Sequence, residues 1–230
     1  RVFWEEADRS YEDAAERLAV RALLPPSGGR LLDIGAGYGR LTAEYAGYRH
    51  VILLDYALSM LADARARLGP SYTYVCADLY HLPFATGALD AIVQVRVLHH
   101  VACIEDALGE VARCLRPGGD FVLEFANKRH AKARVRHRLG RQREDPESTA
   151  PYEFVPLNWD FHPKHVEGVL AGVGLRVRER RAVSLFRQRH LKRVVPAPAL
   201  ARVDAIVGRR LGGLAPAPSQ FVHALSPGNG

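Results

Sequence analysis

Between residues 30 and 125 the chain alternates five short apolar runs with stretches of helical spacing, and this pattern narrows its possible folds more than any other feature. The runs are Arg30 to Ile34, Val51 to Leu54, Tyr72 to Cys76, Ala91 to Val95 and Phe121 to Phe125. Short, continuously apolar runs suit strands buried on both faces, as in parallel sheets. Helical spacing fills the gaps at Arg40 to Tyr48, at Ser59 to Leu68 (closed by Gly69-Pro70) and at Ile104 to Leu115 (ended by Pro117-Gly118-Gly119). Such alternation predicts an α/β fold, a doubly wound and mostly parallel sheet with helices on both faces. Ahead of it, Ser10 to Leu24 is expected to be a helix with Ala14, Leu18, Ala22 and Leu23 near one face, stopped by Pro25-Pro26.

After Asn127 the texture changes. Residues 128–143 hold eight Lys/Arg and no acid, which predicts an exposed helix or loop. Asp145 to Pro156 is punctuated by proline and reads as a flexible connection. Helical spacing returns at Pro163 to Leu170 and Arg202 to Leu211, while Leu175 to Val183 and Gln220 to Leu225 suggest strands, the first at a sheet edge. The expected organisation is an N-terminal helical lid (1–29), a core (30–127), a basic insertion (128–162) and a C-terminal part that completes the sheet and lines the acceptor side (163–230).

With 48% hydrophobic and 25% charged residues in 230, the composition is that of an ordinary globular protein. No apolar run reaches the length of a membrane span, and the first residues lack a secretory leader pattern. Three widely spaced cysteines (Cys76, Cys103, Cys114) fit reduced thiols, a cytoplasmic location and no metal site. The net charge of +7 is unevenly spread: residues 1–127 carry 12 Lys/Arg against 17 Asp/Glu, residues 128–230 carry 20 against 8. That split marks either an anionic partner or an arginine-rich solvated surface, and the second reading is favoured.

The first apolar run leads directly into Asp33-Ile34-Gly35-Ala36-Gly37-Tyr38-Gly39. Alternate glycines permit a sharp turn and bring bare backbone against a ligand, and a helix opened by that turn would offer free N–H groups. A dinucleotide fingerprint would need a small residue at the position of Arg40, which argues against a hydride-transferring dehydrogenase. An acid followed by Gly-x-Gly-x-Gly resembles the first motif of the class I, Rossmann-like S-adenosylmethionine (SAM)-dependent methyltransferases. Three further segments add to the resemblance: Asp55 at the end of the second run, Cys76-Ala77-Asp78-Leu79 with Leu82-Pro83-Phe84, and Leu115-Arg116-Pro117-Gly118-Gly119.

The resemblance spans about residues 30–127 and implies a seven-stranded sheet, SAM as cofactor and S-adenosylhomocysteine as product. It implies that Asp33, Gly35, Ala36, Gly37 and Gly39 hold the amino-acid end of SAM. Asp55 would take the ribose hydroxyls, Tyr56 and Met60 would lie against the adenine, and Asp78 and the Leu79 N–H would read its edge. Val97-Leu98-His99-His100-Val101 resembles the acceptor-diverse branch that includes quinone and other small-molecule methyltransferases. It sets Val95, Arg96, His99 and His100 near the methyl group, with either histidine a candidate general base. Tyr11 is expected to reach the methionine end from the lid, with Phe3 and Trp4 closing the pocket. Trp159, Phe161 and His162 are candidate acceptor contacts. A small-molecule acceptor leads. The alternatives are RNA gripped by the basic segment, disfavoured by few aromatics and no Asn/Asp-Pro-Pro-Tyr/Phe tetrapeptide, and a non-catalytic SAM-binding module.

Overall fold

The structure, a computed structural model, describes residues 9–228. Phe3 and Trp4 lie outside the described residues. Strands β1 (Gly28–Ile34), β2 (Tyr48–Asp55), β3 (Thr73–Cys76), β4 (Leu89–Gln94) and β5 (Leu115–Ala126) pair in parallel, and β8 (Arg176–Val183) and β9 (Ser219–Leu225) extend the sheet antiparallel. The order β3-β2-β1-β4-β5-β9-β8 makes one seven-stranded sheet with β8 at its edge, as expected from the pattern of apolar runs. Because β2 and β4 flank β1 on opposite sides, the chain reverses direction there, and a crevice opens beyond the carboxyl ends of β1 and β4.

Period-2 alternation divides the core between the two faces. Leu31, Leu53, Val93 and Val122 turn to one side, where helix α1 (Ser10–Leu23) and helix α2 (Leu58–Leu68) cover them. Leu32, Leu54, Ile92 and Phe121 turn to the other, beneath α3 (Ile104–Cys114) and α5 (Pro163–Gly172). Between these two in chain order comes α4 (Ala131–Arg138), whose exposed arginines match the predicted basic segment. Two further helices, α6 (Arg189–Val194) and α7 (Ala197–Leu211), precede β9; α6 carries no clear apolar spacing and was not anticipated.

Four expectations are corrected. The segment from Arg40 to Tyr48 forms only one 3-10 turn, Thr42–Tyr45. Gly35, Gly37 and Gly39 all hold positive φ, and β2 begins at Tyr48, so a regular helix has no room. Pro117-Gly118-Gly119 lies inside β5 and marks a register shift against β4 rather than a turn before the strand. The connection around residue 150 is ordered into a hairpin, β6 (Tyr152–Val155) with β7 (Asn158–Asp160), because Pro156 falls in the turn where its missing N–H costs nothing. In α1 the buried face is Tyr11, Glu12, Ala15, Glu16, Ala19, Val20 and Leu23, whereas Ala22 is exposed. Two carboxylates on that face hid it from an apolar pattern.

Helix α7 sits on β8 through Gly208, where an added Cβ would lie 2.0 Å from the Ala182 carbonyl oxygen. Gly208→Ala is therefore expected to lower stability by about 1–3 kcal/mol, the usual cost of overpacking. It should appear as an earlier urea midpoint, and an unchanged midpoint would show that the helix lifts away freely.

Candidate active site at the sheet switch point

Glycine chemistry builds the turn after β1. The amides of Gly35 and Ala36 both donate to the Leu54 carbonyl, at 2.8 and 3.0 Å, which ties the turn to the end of β2. At φ +69° Gly35 occupies the left-handed region, and a Cβ there would meet Val97 Cγ2 at 2.1 Å. Gly37, also left-handed, would meet only Met60 Cε, at 3.3 Å; its far side is open. Its amide donates to Asp55 Oδ2 at 2.9 Å, and the Ala57 amide donates to Asp55 Oδ1 at 2.9 Å. Asp55 is thereby oriented at the tip of β2. The turn leads into a four-residue 3-10 segment, too short to act as a helix N-terminus for an anion.

A cavity of about 220 Å³ lies on this turn. Eight of the residues singled out from the sequence meet around it: Asp33, Gly35, Ala36, Gly37, Asp55, Met60, Val95 and Arg96. Gly39 stays behind the turn, under Leu68. Tyr56, next to Asp55, is 86% exposed. Asp78 faces a separate open concavity beside Tyr80 and Glu110, its Oδ1 accepting from the Tyr80 amide at 3.0 Å, and Leu79 packs against the core. The Ala77 amide donates to the Asp55 carbonyl at 3.3 Å, which keeps this strand end beside the cavity.

Tyr11 does something other than expected. Its hydroxyl donates to Asp204 Oδ1 and accepts from the Phe186 amide, both at 2.9 Å, deep between α1 and α7. It fastens the helix and does not face the cavity. Phe161 (2% exposed) belongs to the core, and its amide donates to the Ala126 carbonyl at 2.9 Å. His162 caps α5, its Nδ1 accepting from the Lys164 amide at 3.1 Å. Neither is available to an acceptor. Trp159 packs partly against the core, yet its buried indole N–H has no partner among the described residues.

Electrostatics separate the acids. Burial pushes the Asp33 carboxyl up to about 7, although the nearby Tyr45 hydroxyl and the Arg40 guanidinium pull it down. Burial, then His100 and Arg96, depresses His99 to about 4, so its imidazole is neutral at ordinary pH. The His99 and His100 rings stack tilted at 3.9 Å, and His100 Nδ1 lies 3.3 Å from the Leu157 carbonyl.

Sequence reasoning missed three acids. Asp160, at the end of β7, is pushed up to about 6 by burial, against the pull of Lys128 and Arg187. Glu124, in β5, accepts from the Arg96 amide at 2.9 Å and from Ser219 Oγ at 2.7 Å. Glu16, in α1, binds both Arg40 and Arg96. The recurrence of glutamates at 12 and 16, one turn apart, was the only signal available for the last of these.

The fold is that of the class I, Rossmann-like methyltransferases. An S-adenosylmethionine-dependent methyltransferase from Mesorhizobium loti superposes with a TM-score of 0.66 over 94% of this chain and 99% of that one, at 24% identity. Residues 32–123 match the model of the methyltransferase domain family. A ubiquinone/menaquinone biosynthesis C-methyltransferase of Roseobacter denitrificans is 35% identical over 45% of this chain and 45% of its own length. A bifunctional biotin biosynthesis protein of Cellvibrio japonicus is 42% identical over 39% of this chain and 18% of its own. The chain thus spans half or less of the length of these curated relatives.

Asp33 yields a pH signature. Its folded pKa lies above the ordinary value of 3.8, so between about 4 and about 7 the native state keeps a proton that the unfolded chain releases. Stability from this group falls as pH rises through that window and levels off above it. Asp33→Asn removes the effect, so its stability should gain on the wild type between pH 4 and 7 in urea unfolding. Parallel profiles would contradict the buried, proton-holding carboxyl.

Proposed function

We propose that the chain is a methyltransferase that transfers the methyl group of SAM to an O, N or C atom of a small-molecule acceptor in the cytoplasm. The observation that carries this reading is the pair of carboxylates, Asp33 and Asp55, facing one cavity across a left-handed glycine turn at the sheet switch point. The residues fit the cofactor. A buried acid suits an ammonium, an acid at the tip of β2 suits vicinal hydroxyls, and the open side of Gly37 admits a ligand that a Cβ would crowd.

Bound SAM supplies an electrophilic methyl group, so the protein's task is to orient, to exclude water and to manage one proton. Asp33 would be driven to its ionised form by the incoming ammonium, which replaces the solvation lost on burial. Asp55, already aligned by the Gly37 and Ala57 amides, keeps lone pairs for the ribose hydroxyls. Met60 would pack beside the nucleoside, and Val95 would border the methyl side. Asp78 and the Leu79 amide, at the neighbouring strand end, would meet the adenine edge. On the acceptor side, His100, the neutral His99 imidazole and the Asp160 carboxylate, raised to about 6 by burial, are candidate proton acceptors, and the buried Trp159 N–H is a candidate donor.

A small acceptor is favoured over RNA because the basic segment has few aromatics for base stacking, and three of its eight Lys/Arg, Lys128, Arg129 and Arg134, are already engaged by acids of the insertion. Glu147 takes Arg129 and Arg134, Lys128 takes Glu144, and His137 lies 3.9 Å from Asp145.

Calorimetry with SAM, followed by a methyl-transfer screen over phenols, amines, quinones and RNA, tests the reading; no SAM binding at high concentration would end it. Asp55→Ala is expected to weaken SAM by ~1–3 kcal/mol, the cost of stranding the hydroxyls it served. An unchanged dissociation constant would remove Asp55 from the ribose.

A further inference from the structure

We propose that Glu16 is a positioning residue of the cofactor site, acting through Arg40 and Arg96 to balance charge beside a cationic ligand. The inference rests on the reading of this cavity as the SAM pocket. Glu16 is 0% exposed, on the buried face of α1. Its Oε2 accepts from Arg40 Nη2 at 2.7 Å, and its Oε1 from Arg96 Nε at 2.8 Å. The two arginines reach it from opposite sides of the switch point. Arg40 follows the glycine turn of β1, Arg96 follows β4, and both border the same cavity as Asp33 and Asp55. One carboxylate from a third element therefore joins both walls.

Two features separate this arrangement from an ordinary surface ion pair. Arg96 holds φ +64°, a left-handed conformation that a side-chain-bearing residue adopts only when its surroundings impose it. Glu124 imposes it at the amide, 2.9 Å away, and Glu16 at the guanidinium. The second feature is the sign of the charge. SAM brings a zwitterionic amino-acid end and a sulfonium into a cavity lined by two guanidinium groups, and the sulfonium is its net positive charge. Coulomb repulsion in a partly buried site is weakly screened, so the buried carboxylate behind those arginines favours a cation in front of them. Asp13, 2.5 Å from Arg40 Nη1, adds to the same effect on one wall only.

This role predicts more than a loss of rigidity. S-adenosylhomocysteine has the same nucleoside and amino-acid end as SAM but a neutral sulfur. Glu16→Gln keeps the shape and removes one negative charge, so it should weaken SAM by at least about tenfold and S-adenosylhomocysteine by clearly less. Arg96→Met, a second variant in case the first does not fold, removes a positive charge and should shift the preference the other way, towards SAM. The double variant should return the SAM-to-S-adenosylhomocysteine ratio towards that of the wild type. Calorimetry with both ligands reads these ratios, and thermal unfolding reports fold integrity alongside. Equal losses for both ligands would reduce Glu16 to a structural tie and overturn the proposal, as would unchanged affinities. A wild-type protein that binds neither ligand would instead bring down the site reading itself.

Discussion

The pairing of β1 with both β2 and β4 governs the rest of this molecule. A strand with parallel neighbours on each side has both backbone edges satisfied, so the chain leaving its carboxyl end must turn out of the sheet. Gly35 and Ala36 make that exit by donating to a carbonyl of β2, and the turn fills one side of the crevice while the exit of β4 fills the other. Asp33 and Asp55 reach the cavity because they end adjacent strands. Val95 and Arg96 reach it because β4 was laid down on the far side of β1. Asp33, Asp55 and the Val95-Arg96 pair lie far apart in the sequence and meet only through this topology.

The legible part of the sequence was the part with a period or a motif. Strands buried on both faces produce continuous apolar runs, and all five core strands were anticipated; the glycine turn announced itself by its spacing. What escaped notice followed from the limits of that signal. Helix α1 buries Glu12 and Glu16, so apolarity pointed to Ala14, Leu18, Ala22 and Leu23, of which Leu23 is buried, Ala14 and Leu18 border the core and Ala22 is exposed. The carboxylates are tolerated there because cations from distant segments meet them: Lys192 binds Glu12 at 3.0 Å, and two arginines bind Glu16. A single sequence does not display partnerships across 80 or 180 positions.

Aromatic residues misled for a related reason. The run from Trp159 to His162 has the composition of a ligand contact, yet Phe161 and His162 serve the sheet junction and the start of α5. Tyr11 likewise lends its hydroxyl to Asp204, which also takes the amides of Ser184 and Leu185 at 3.0 and 2.8 Å. Here the aromatic ring supplies bulk, and its hydroxyl joins a buried network by donating to Asp204 and accepting from the Phe186 amide. Composition reports that a side chain can bind; only its neighbours reveal whether that capacity is already used.

The place where the basic insertion departs has a consequence for how such a chain can diversify. The chain leaves the sheet at Lys128 and returns at Phe161, and the two ends are zipped together: the Lys128 amide donates to the Phe161 carbonyl at 3.1 Å, the Phe161 amide to Ala126. Buried Asn127 locks the junction, its Nδ2 donating to the carbonyls of Ala215 and Ala217 at 2.8 Å. An excursion whose entry and exit touch can be lengthened, shortened or exchanged with little strain on the scaffold beneath. Chimeras spliced at this seam can therefore recruit new chemistries for the segment above it while the seven strands below stay as they are.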